Sequence, residues 1–166
     1  MGSKNKKGQA AITDLFIAIA IFIVLITITT IMWHLYNLRF DARIDYDTMV
    51  LKTYQIVDTM VKSPGFPDNW EQDTANVVAI GLASGDRILS KEKVSAFDKM
   101  SSDDMDNVKE IMHIALYDYY FVLKDPETNQ VVVSAGSAPR GKFTVNLGRL
   151  VMYNNKPHIL EFAVWM

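Results

Sequence analysis

The first part of the chain contains a long run of apolar side chains. Residues 15–33, LFIAIAIFIVLITITTIMW, are 19 consecutive positions without a charged side chain. A helix rises ~1.5 Å per residue, so this run nearly matches the ~30 Å hydrocarbon core of a bilayer. No ordinary strand is this long, and lipid requires a backbone to satisfy its own hydrogen bonds. The pattern therefore predicts a membrane-spanning helix.

Beyond residue 34 the apolar positions become periodic and predict an amphipathic continuation of this helix. They recur at spacings of 3, 4 or 7 residues, at Leu35, Leu38, Ala42, Met49, Thr53, Ile56 and Met60. The segment SPGFP at 63–67 predicts the end of the helix, because proline lacks an N–H donor and disfavours helix in the residue before it.

The remaining sequence has shorter periods. Residues 77–82 predict one short strand within an irregular connector. Ser90 and Ser102 each precede acidic and then periodic apolar positions, which predicts two short capped helices. Four segments rich in Val, Phe, Tyr and Ile follow at 117–124, 131–135, 142–153 and 159–166, and turn signals separate them. We expect an α+β fold in which the long helix packs on a C-terminal antiparallel four-strand meander.

Composition limits the classes of function. About 130 residues lie outside the apolar run, which is enough for one domain. The net charge of −2, with 22% charged residues, gives no basic surplus that indicates a nucleic-acid partner. The chain has no cysteine, so disulfides and thiolate metal sites are excluded.

Basic residues precede the apolar run. Lys4, Lys6 and Lys7 are expected to stay in the cytoplasm by the positive-inside rule, which places the C-terminal domain outside. The run is longer than the 7–15 apolar residues of a secretory signal, and its end lacks a small-x-small cleavage pair. We expect the helix to be retained.

The junction between these two parts resembles a known class of sequence. The string KKGQAAITDL at 6–15 is similar to the class III signal peptides of archaeal type IV pilin-like proteins. That resemblance implies a prepilin peptidase that removes the basic leader between Gly8 and Gln9 and leaves the helix as an assembly core. The family usually has an acid at the fifth mature position, which here is Thr13, followed by Asp14. Cleavage after Gln9 would make Asp14 fifth, so both bonds stay open.

The resemblance extends into the C-terminal part, through SPGFPDNW at 63–70, IGLA at 80–83, YDYYF at 117–121 and the terminal VW at 164–165. It implies a pilin-like layout in four parts. These are a leader at 1–9, a transmembrane and assembly helix at 10–34, an amphipathic extension at 35–62 and an extracytoplasmic α+β domain at 63–166.

Asp14 has two interpretations. A carboxylate at the edge of a membrane helix tends to be paired, and the new N-terminal ammonium of a neighbouring subunit is a suitable partner. Alternatively, Asp14 lies in the headgroup layer, where the helix dipole favours an acid.

No pattern for catalysis, a cofactor or a metal is present. The sequence lacks G-x-S-x-G, H-E-x-x-H and a glycine-rich phosphate loop. The three histidines, His34, His113 and His158, are far apart in the sequence. The acids Asp103, Asp104, Asp106 and Glu110, with Asn107, fit a helix start better than a calcium loop. Burial of Trp70 is favoured over a carbohydrate contact.

These observations favour a structural subunit over an enzyme. We expect a minor or accessory subunit of an archaeal type IV pilus-like filament, since an N-x-S/T sequon of a glycosylated major pilin is missing. Its expected partners are prepilin peptidase, other pilin-like subunits and, before assembly, membrane lipid. It is expected in the membrane or in an extracellular filament. The alternatives are a single-pass anchored binding or sensor domain that does not assemble and, less favoured, a membrane-bound hydrolase that uses the acid cluster.

Overall fold

The computed structural model describes residues 4–141 and 143–166 and forms two compact units, Met1–Asp45 and Tyr46–Met166. The fold is α+β, with an N-terminal apolar helix and a C-terminal mixed sheet. Helix α1 runs over Lys4–Lys62 and contributes residues to both units. The side chains of residues 4–11 and 38–44 lie outside the described part.

Helix α1 ends at Lys62, directly before the predicted proline-containing segment. In the second unit its predicted apolar stripe is buried, at Met49, Thr53, Ile56 and Met60. The buried hydroxyl of Thr53 donates to the Met49 carbonyl at 2.7 Å, so this polar group is satisfied within the helix. The stripe forms part of the core.

The connector after α1 contains a small separate sheet. Strands β1, Gly65–Phe66, and β2, Ala79–Ile80, pair antiparallel, and two single-turn 3-10 helices lie between them at Trp70–Gln72 and Thr74–Asn76. Strand β2 is the short strand predicted at 77–82. Its partner β1 was not predicted.

The main sheet has six strands, which run in the order β3-β4-β7-β8-β5-β6. Their bounds are Ala83–Gly85 (β3), Ile88–Leu89 (β4), Asp118–Lys124 (β5), Val131–Gly136 (β6), Thr144–Tyr153 (β7) and Lys156–Trp165 (β8). The four C-terminal strands occur where the sequence predicts them, with slightly different ends.

The predicted meander is wrong in its strand order. Strand β8 pairs antiparallel with both β5 and β7, so β6 and β7 are not neighbours. The physical reason is burial, because Phe162, Ala163, Val164 and Trp165 are all buried, as a central strand requires. The expectation of a purely antiparallel sheet is also wrong, because β4 and β7 pair in parallel.

The turn between β7 and β8 moves the start of the last strand. Asn154 and Asn155 have positive φ angles of 51° and 61°, as a two-residue hairpin turn of type I′ requires. Pairing therefore resumes at Lys156, three residues before the predicted start at Ile159.

Two helices lie between the small strands and β5. Helix α2, Lys91–Asp103, begins as predicted after Ser90, whose hydroxyl accepts a hydrogen bond from the Lys93 N–H. Helix α3, Met105–Ile111, begins after Asp104, and the prediction of Ser102 as its cap is wrong. The Ser102 hydroxyl instead donates to the Asp98 carbonyl within α2, and the Asp104 carboxylate accepts from the Asn107 N–H at 3.1 Å.

An aromatic cluster lies in the core, at one face of the sheet. The rings of Phe97 and Phe121 meet edge to face at 5.3 Å, and Tyr119 stacks on Phe162 at 5.7 Å. The Tyr119 hydroxyl donates to Ser101 at 2.7 Å. Burial raises the pKa of Tyr119 to about 12, because the phenolate would lose its hydration.

Candidate functional site

The apolar segment of α1 spans Ile12–Asn37, 26 residues, and none of it is buried. At ~1.5 Å per residue it exceeds the ~30 Å hydrocarbon core, so it is long and apolar enough to cross a membrane. Signal sequences and the core helices of soluble proteins can share this length and composition. In this protein the segment is not packed as a core helix.

The exposed apolar surface surrounds the helix. The six consecutive residues at 21–26, Ile-Phe-Ile-Val-Leu-Ile, each have 50–62% of their surface exposed. Successive side chains on a helix lie about 100° apart, so six of them cover the whole circumference. Over these six residues the helix therefore has no polar side, in contrast to an amphipathic surface helix. Such a surface suits lipid or other apolar helices.

The hydroxyl groups in this segment are satisfied by the helix itself. Thr27, Thr29 and Thr30 each donate to the carbonyl oxygen four residues earlier, at 2.8, 2.8 and 2.9 Å. A polar group that is already hydrogen-bonded costs much less to transfer into lipid. The threonines are thus compatible with a hydrocarbon environment.

Asp14 lies exposed on α1, two residues after the start of the apolar segment. Both interpretations place Asp14 at this edge, but α1 begins at Lys4, so Asp14 lies beyond the first turn, where the helix dipole favours an acid. The backbones of Lys4, Lys6, Lys7, Gly8 and Gln9 belong to α1, and their side chains lie outside the described part. Their roles in the leader and in processing stay predictions.

The other candidate residues are dispersed or already engaged. His34 is exposed on α1, His113 follows α3, and His158 is buried beside Tyr153. Among residues 4–141 and 143–166, no group of three or more His, Cys, Asp or Glu side chains is arranged to hold a metal ion. Asp106 pairs with Lys109 at 2.7 Å, and this hydrogen bond raises the pKa of Lys109. Together with the cap formed by Asp104, this agrees with the helix-start interpretation of the acids.

Trp70 is fully buried, as predicted. Its indole N–H donates to the carbonyls of Pro64 and Gly81, at 3.1 and 2.9 Å. The ring therefore stabilises the connector and does not form an exposed carbohydrate platform.

Lys93 is a buried cation that sequence reasoning missed. Its ammonium donates to the carbonyls of Pro64 and Asp68, both at 2.5 Å, and lies 3.8 Å from a carboxylate oxygen of Glu71. Only 6% of the residue is exposed. A lysine in the first turn of an amphipathic helix gives no sequence signal of burial, because the carbonyls that hold it come from a distant loop.

A second missed feature is a notch of about 470 Å³ in the second unit. We call it the cationic notch, and its polar lining consists of Tyr54, Asp58, Lys62, Arg87 and Arg149. Lys62 pairs with Asp58 at 2.7 Å, and this hydrogen bond lowers the pKa of the Asp58 carboxyl, with both arginines adding to the effect. The Arg149 guanidinium lies 4.9 Å from the centre of the Tyr54 ring.

No protein-family model, curated protein or solved structure matches the chain.

Proposed function

We propose that the chain is a structural subunit, minor or accessory, of an archaeal type IV pilus-like filament. The observation that carries the proposal is the apolar surface of Ile12–Asn37, which is exposed on every side of the helix. A basic leader with Lys6, Lys7, Gly8 and Gln9 directly precedes this segment. A retained helix behind a short cleavable leader is the arrangement that such a subunit needs.

The proposed mechanism is mechanical. Before assembly, lipid covers the apolar helix, and the helix satisfies its own backbone and threonine hydroxyls. During assembly, the helices of neighbouring subunits replace the lipid, and close packing stabilises the bundle. The second unit, Tyr46–Met166, then lies outside the membrane and covers the surface of the filament.

Processing couples the leader to assembly. Prepilin peptidase would cut after Gly8 or after Gln9, and either cut places Asp14 four or five residues beyond the new N-terminus. The free ammonium group of a neighbouring subunit can then pair with the Asp14 carboxylate at the edge of the bundle. This pairing would set the register of one helix against the next.

A second candidate function is a membrane-anchored binding or sensor domain that does not assemble. A cleft of about 430 Å³ in the second unit favours it, with Lys52, Ile56, Val78 and His113 among its lining residues. Small-molecule sites typically have volumes of ~300–1,000 Å³ and mix apolar walls with few polar groups. The cleft fits that description, whereas the leader and helix fit the filament better.

Imaging separates the two functions. Cells that express the full chain are labelled with an antibody against the second unit and examined by electron microscopy. We expect labelled filaments, and we expect fewer of them with Asp14→Ala, while Asp45→Ala serves as the matched control on the same helix. Dispersed label on membranes, with the leader uncut, would favour the anchored domain. Unchanged filaments with Asp14→Ala would assign Asp14 to the headgroup layer.

A further inference from the structure

The cationic notch contains two guanidinium groups, those of Arg87 and Arg149. Within the described part of the chain neither Arg87 nor Arg149 forms a salt bridge, while Lys62 is paired with Asp58. Arg149 donates one N–H to the Gly148 carbonyl at 3.2 Å. A guanidinium carries five N–H groups and binds carboxylates in a fork geometry, so both side chains can donate to an external carboxylate.

The backbone of Arg87 is unusual. Its φ angle of 57° lies in the left-handed region, which glycine adopts at lower cost. A residue held in such a conformation is a reason to look for a function of its side chain. The side chain here is one of the two guanidiniums of the notch, neither of which forms a salt bridge within residues 4–141 and 143–166.

The notch is positive on an acidic domain. From residue 46 onward the chain has 12 Lys and Arg against 16 Asp and Glu, a net charge of −4. The notch has three cations against one anion, Asp58. Asp86 is exposed in the same turn as Arg87, and when it is included the net charge of the notch is still +1. The sign of the notch is therefore opposite to that of the domain.

A negative patch lies elsewhere on the same domain. We call it the acidic corner, the junction of α2 and α3 with Asp103, Asp104, Asp106 and Glu110, all exposed. Lys109 bonds Asp106 of this corner at 2.7 Å and also Asp118 outside it at 3.3 Å. The corner therefore keeps a net charge of −3 on four side chains that solvent reaches.

The two patches lie toward opposite edges of the main sheet. The notch takes Arg87 from the β3–β4 turn and Arg149 from β7, near the β3 edge. Helix α2, which leads into the acidic corner, packs against β6 at the other edge. Because the two patches are far apart on one domain, the notch of one copy can attract the acidic corner of another copy. A head-to-tail contact of this kind repeats into an open array.

We propose that the cationic notch of one copy binds the acidic corner of a second copy. The inference rests on the proposed function, because the filament supplies the setting in which the contact repeats. Single exposed ion pairs contribute little. Helices bundled in one filament hold the domains at a high effective concentration, so a weak contact is sufficient. The contact fixes which faces of neighbouring domains meet, and salt weakens it.

Cross-linking in cells tests the contact directly. The chain has no cysteine, so Leu150→Cys beside the notch and Asn107→Cys beside the acidic corner introduce the only thiols. A flexible bis-maleimide should give a ladder of dimers, trimers and larger species with the double variant. Each single variant should stay monomeric, because a head-to-tail contact brings different residues together. A dimer from either single variant would overturn the proposal.

Charge reversal shows whether these residues form the contact. In the double-cysteine chain, Arg87→Glu with Arg149→Glu should reduce the ladder roughly tenfold or more, because like charges then face each other. Adding Asp103→Lys and Glu110→Lys reverses both patches and should restore the ladder. Lys91→Glu with Lys156→Glu is the matched control at two exposed lysines and should leave the ladder unchanged.

The outcomes separate this inference from the proposed function. Filaments that show no ladder, or a ladder indifferent to charge reversal, overturn the notch contact and leave the filament proposal intact. A charge-dependent ladder on membranes that carry no filaments supports the contact between copies but contradicts the proposal that the chain forms a filament. Monomers whose retention on a polyanion resin depends on Arg87 and Arg149 assign the notch to a soluble anion, which also overturns the proposal.

Discussion

Two stretches of one helix differ in what surrounds them. In Ile12–Asn37 every residue is exposed and apolar side chains follow one another around the helix. From Tyr46 to Lys62 apolar residues recur on one face, where Met49, Val57 and Met60 are fully buried. The backbone conformation is the same, so the spacing of apolar side chains decides the environment. The second stretch packs within the domain, whereas the first presents an apolar surface long enough to cross a membrane.

The largest expected effect comes from placing charge in the first stretch. The pair Ile21→Arg and Leu25→Arg puts two cations on one face near the middle of the apolar segment. Each arginine costs about 3 kcal/mol at the centre of a membrane helix. The two together cost about 6 kcal/mol, which is comparable to the favourable free energy of inserting the whole helix. We expect the full chain to leave the membrane pellet after alkaline extraction.

The matched control is Leu51→Arg with Gln55→Arg, an equally spaced exposed pair in the second stretch. This variant should stay in the membrane pellet. If the variant with arginines at 21 and 25 also stays there, the first stretch does not contact lipid in the way that we describe.

Two methionines compare the stretches directly. Met60→Ala removes a side chain that is 0% exposed, and it should lower the free energy of unfolding of the domain by about 2–5 kcal/mol. Met32→Ala, at a position that is 63% exposed, should leave that free energy unchanged. Denaturant titration of the detergent-solubilised chain measures both. Equal losses for the two variants would mean that the first stretch also packs on a core.

A smaller loss of stability is expected when the ammonium of Lys93, which binds the connector after α1, is removed. Lys93→Met keeps most of the buried stem but leaves the Asp68 carbonyl without its side-chain donor, while the Pro64 carbonyl still accepts from the Trp70 indole. An unsatisfied buried acceptor costs about 1–3 kcal/mol, so the domain should lose that much stability. The indole N–H of Trp70 should exchange faster with solvent, whereas Lys91→Met, at an exposed position, should not change it. Unaltered exchange with Lys93→Met would show that the ammonium does not hold the loop.

The smallest effect is a loss of stability of the domain at alkaline pH, which the apolar segment does not share. The folded pKa of Tyr119, about 12, lies above its ordinary value near 10, so the neutral form is favoured by folding. The stability that neutral Tyr119 contributes should be constant below pH ~10 and fall as the pH rises through about 12. Burial raises the pKa of Tyr153 as well, which adds to the fall.

Tyr119→Phe should make the alkaline unfolding curve shallower, whereas Tyr46→Phe, at an exposed tyrosine, should leave it as it is. A curve that stays equally steep with Tyr119→Phe would show that this hydroxyl is not the group that titrates.

The sequence predicts features that depend on local patterns. The proline-terminated helix, the Ser90 cap and the four C-terminal strand segments follow from periodicity and turn residues. Strand order depends on which faces of each strand are covered by other elements. The alternation of Leu160, Phe162 and Val164 suggested one buried face, but Ala163 and Trp165 on the other face are buried too. The four consecutive buried residues that end β8 are the signal that could have identified a central strand.

The surface sites depend on contacts between distant segments. The cationic notch combines Lys62, Arg87 and Arg149, which are separated by more than 20 residues at each step. The periodicity of the sequence gives no information about which distant residues lie close together in the fold. One local signal existed, because a Gly-Asp-Arg turn places arginine where glycine is the usual choice.

The mass of the mature protein, purified from the membranes or filaments of its host, tests the central claim most directly. We expect a chain that begins at Gln9 or Ala10, that has lost Lys4, Lys6 and Lys7, and that retains the whole apolar segment. The same mass identifies the cleaved bond and the distance of Asp14 from the new N-terminus. A chain that still carries its residues 1–8, or one cut beyond Trp33, would show that the leader is not removed by prepilin peptidase or that the apolar helix is not retained.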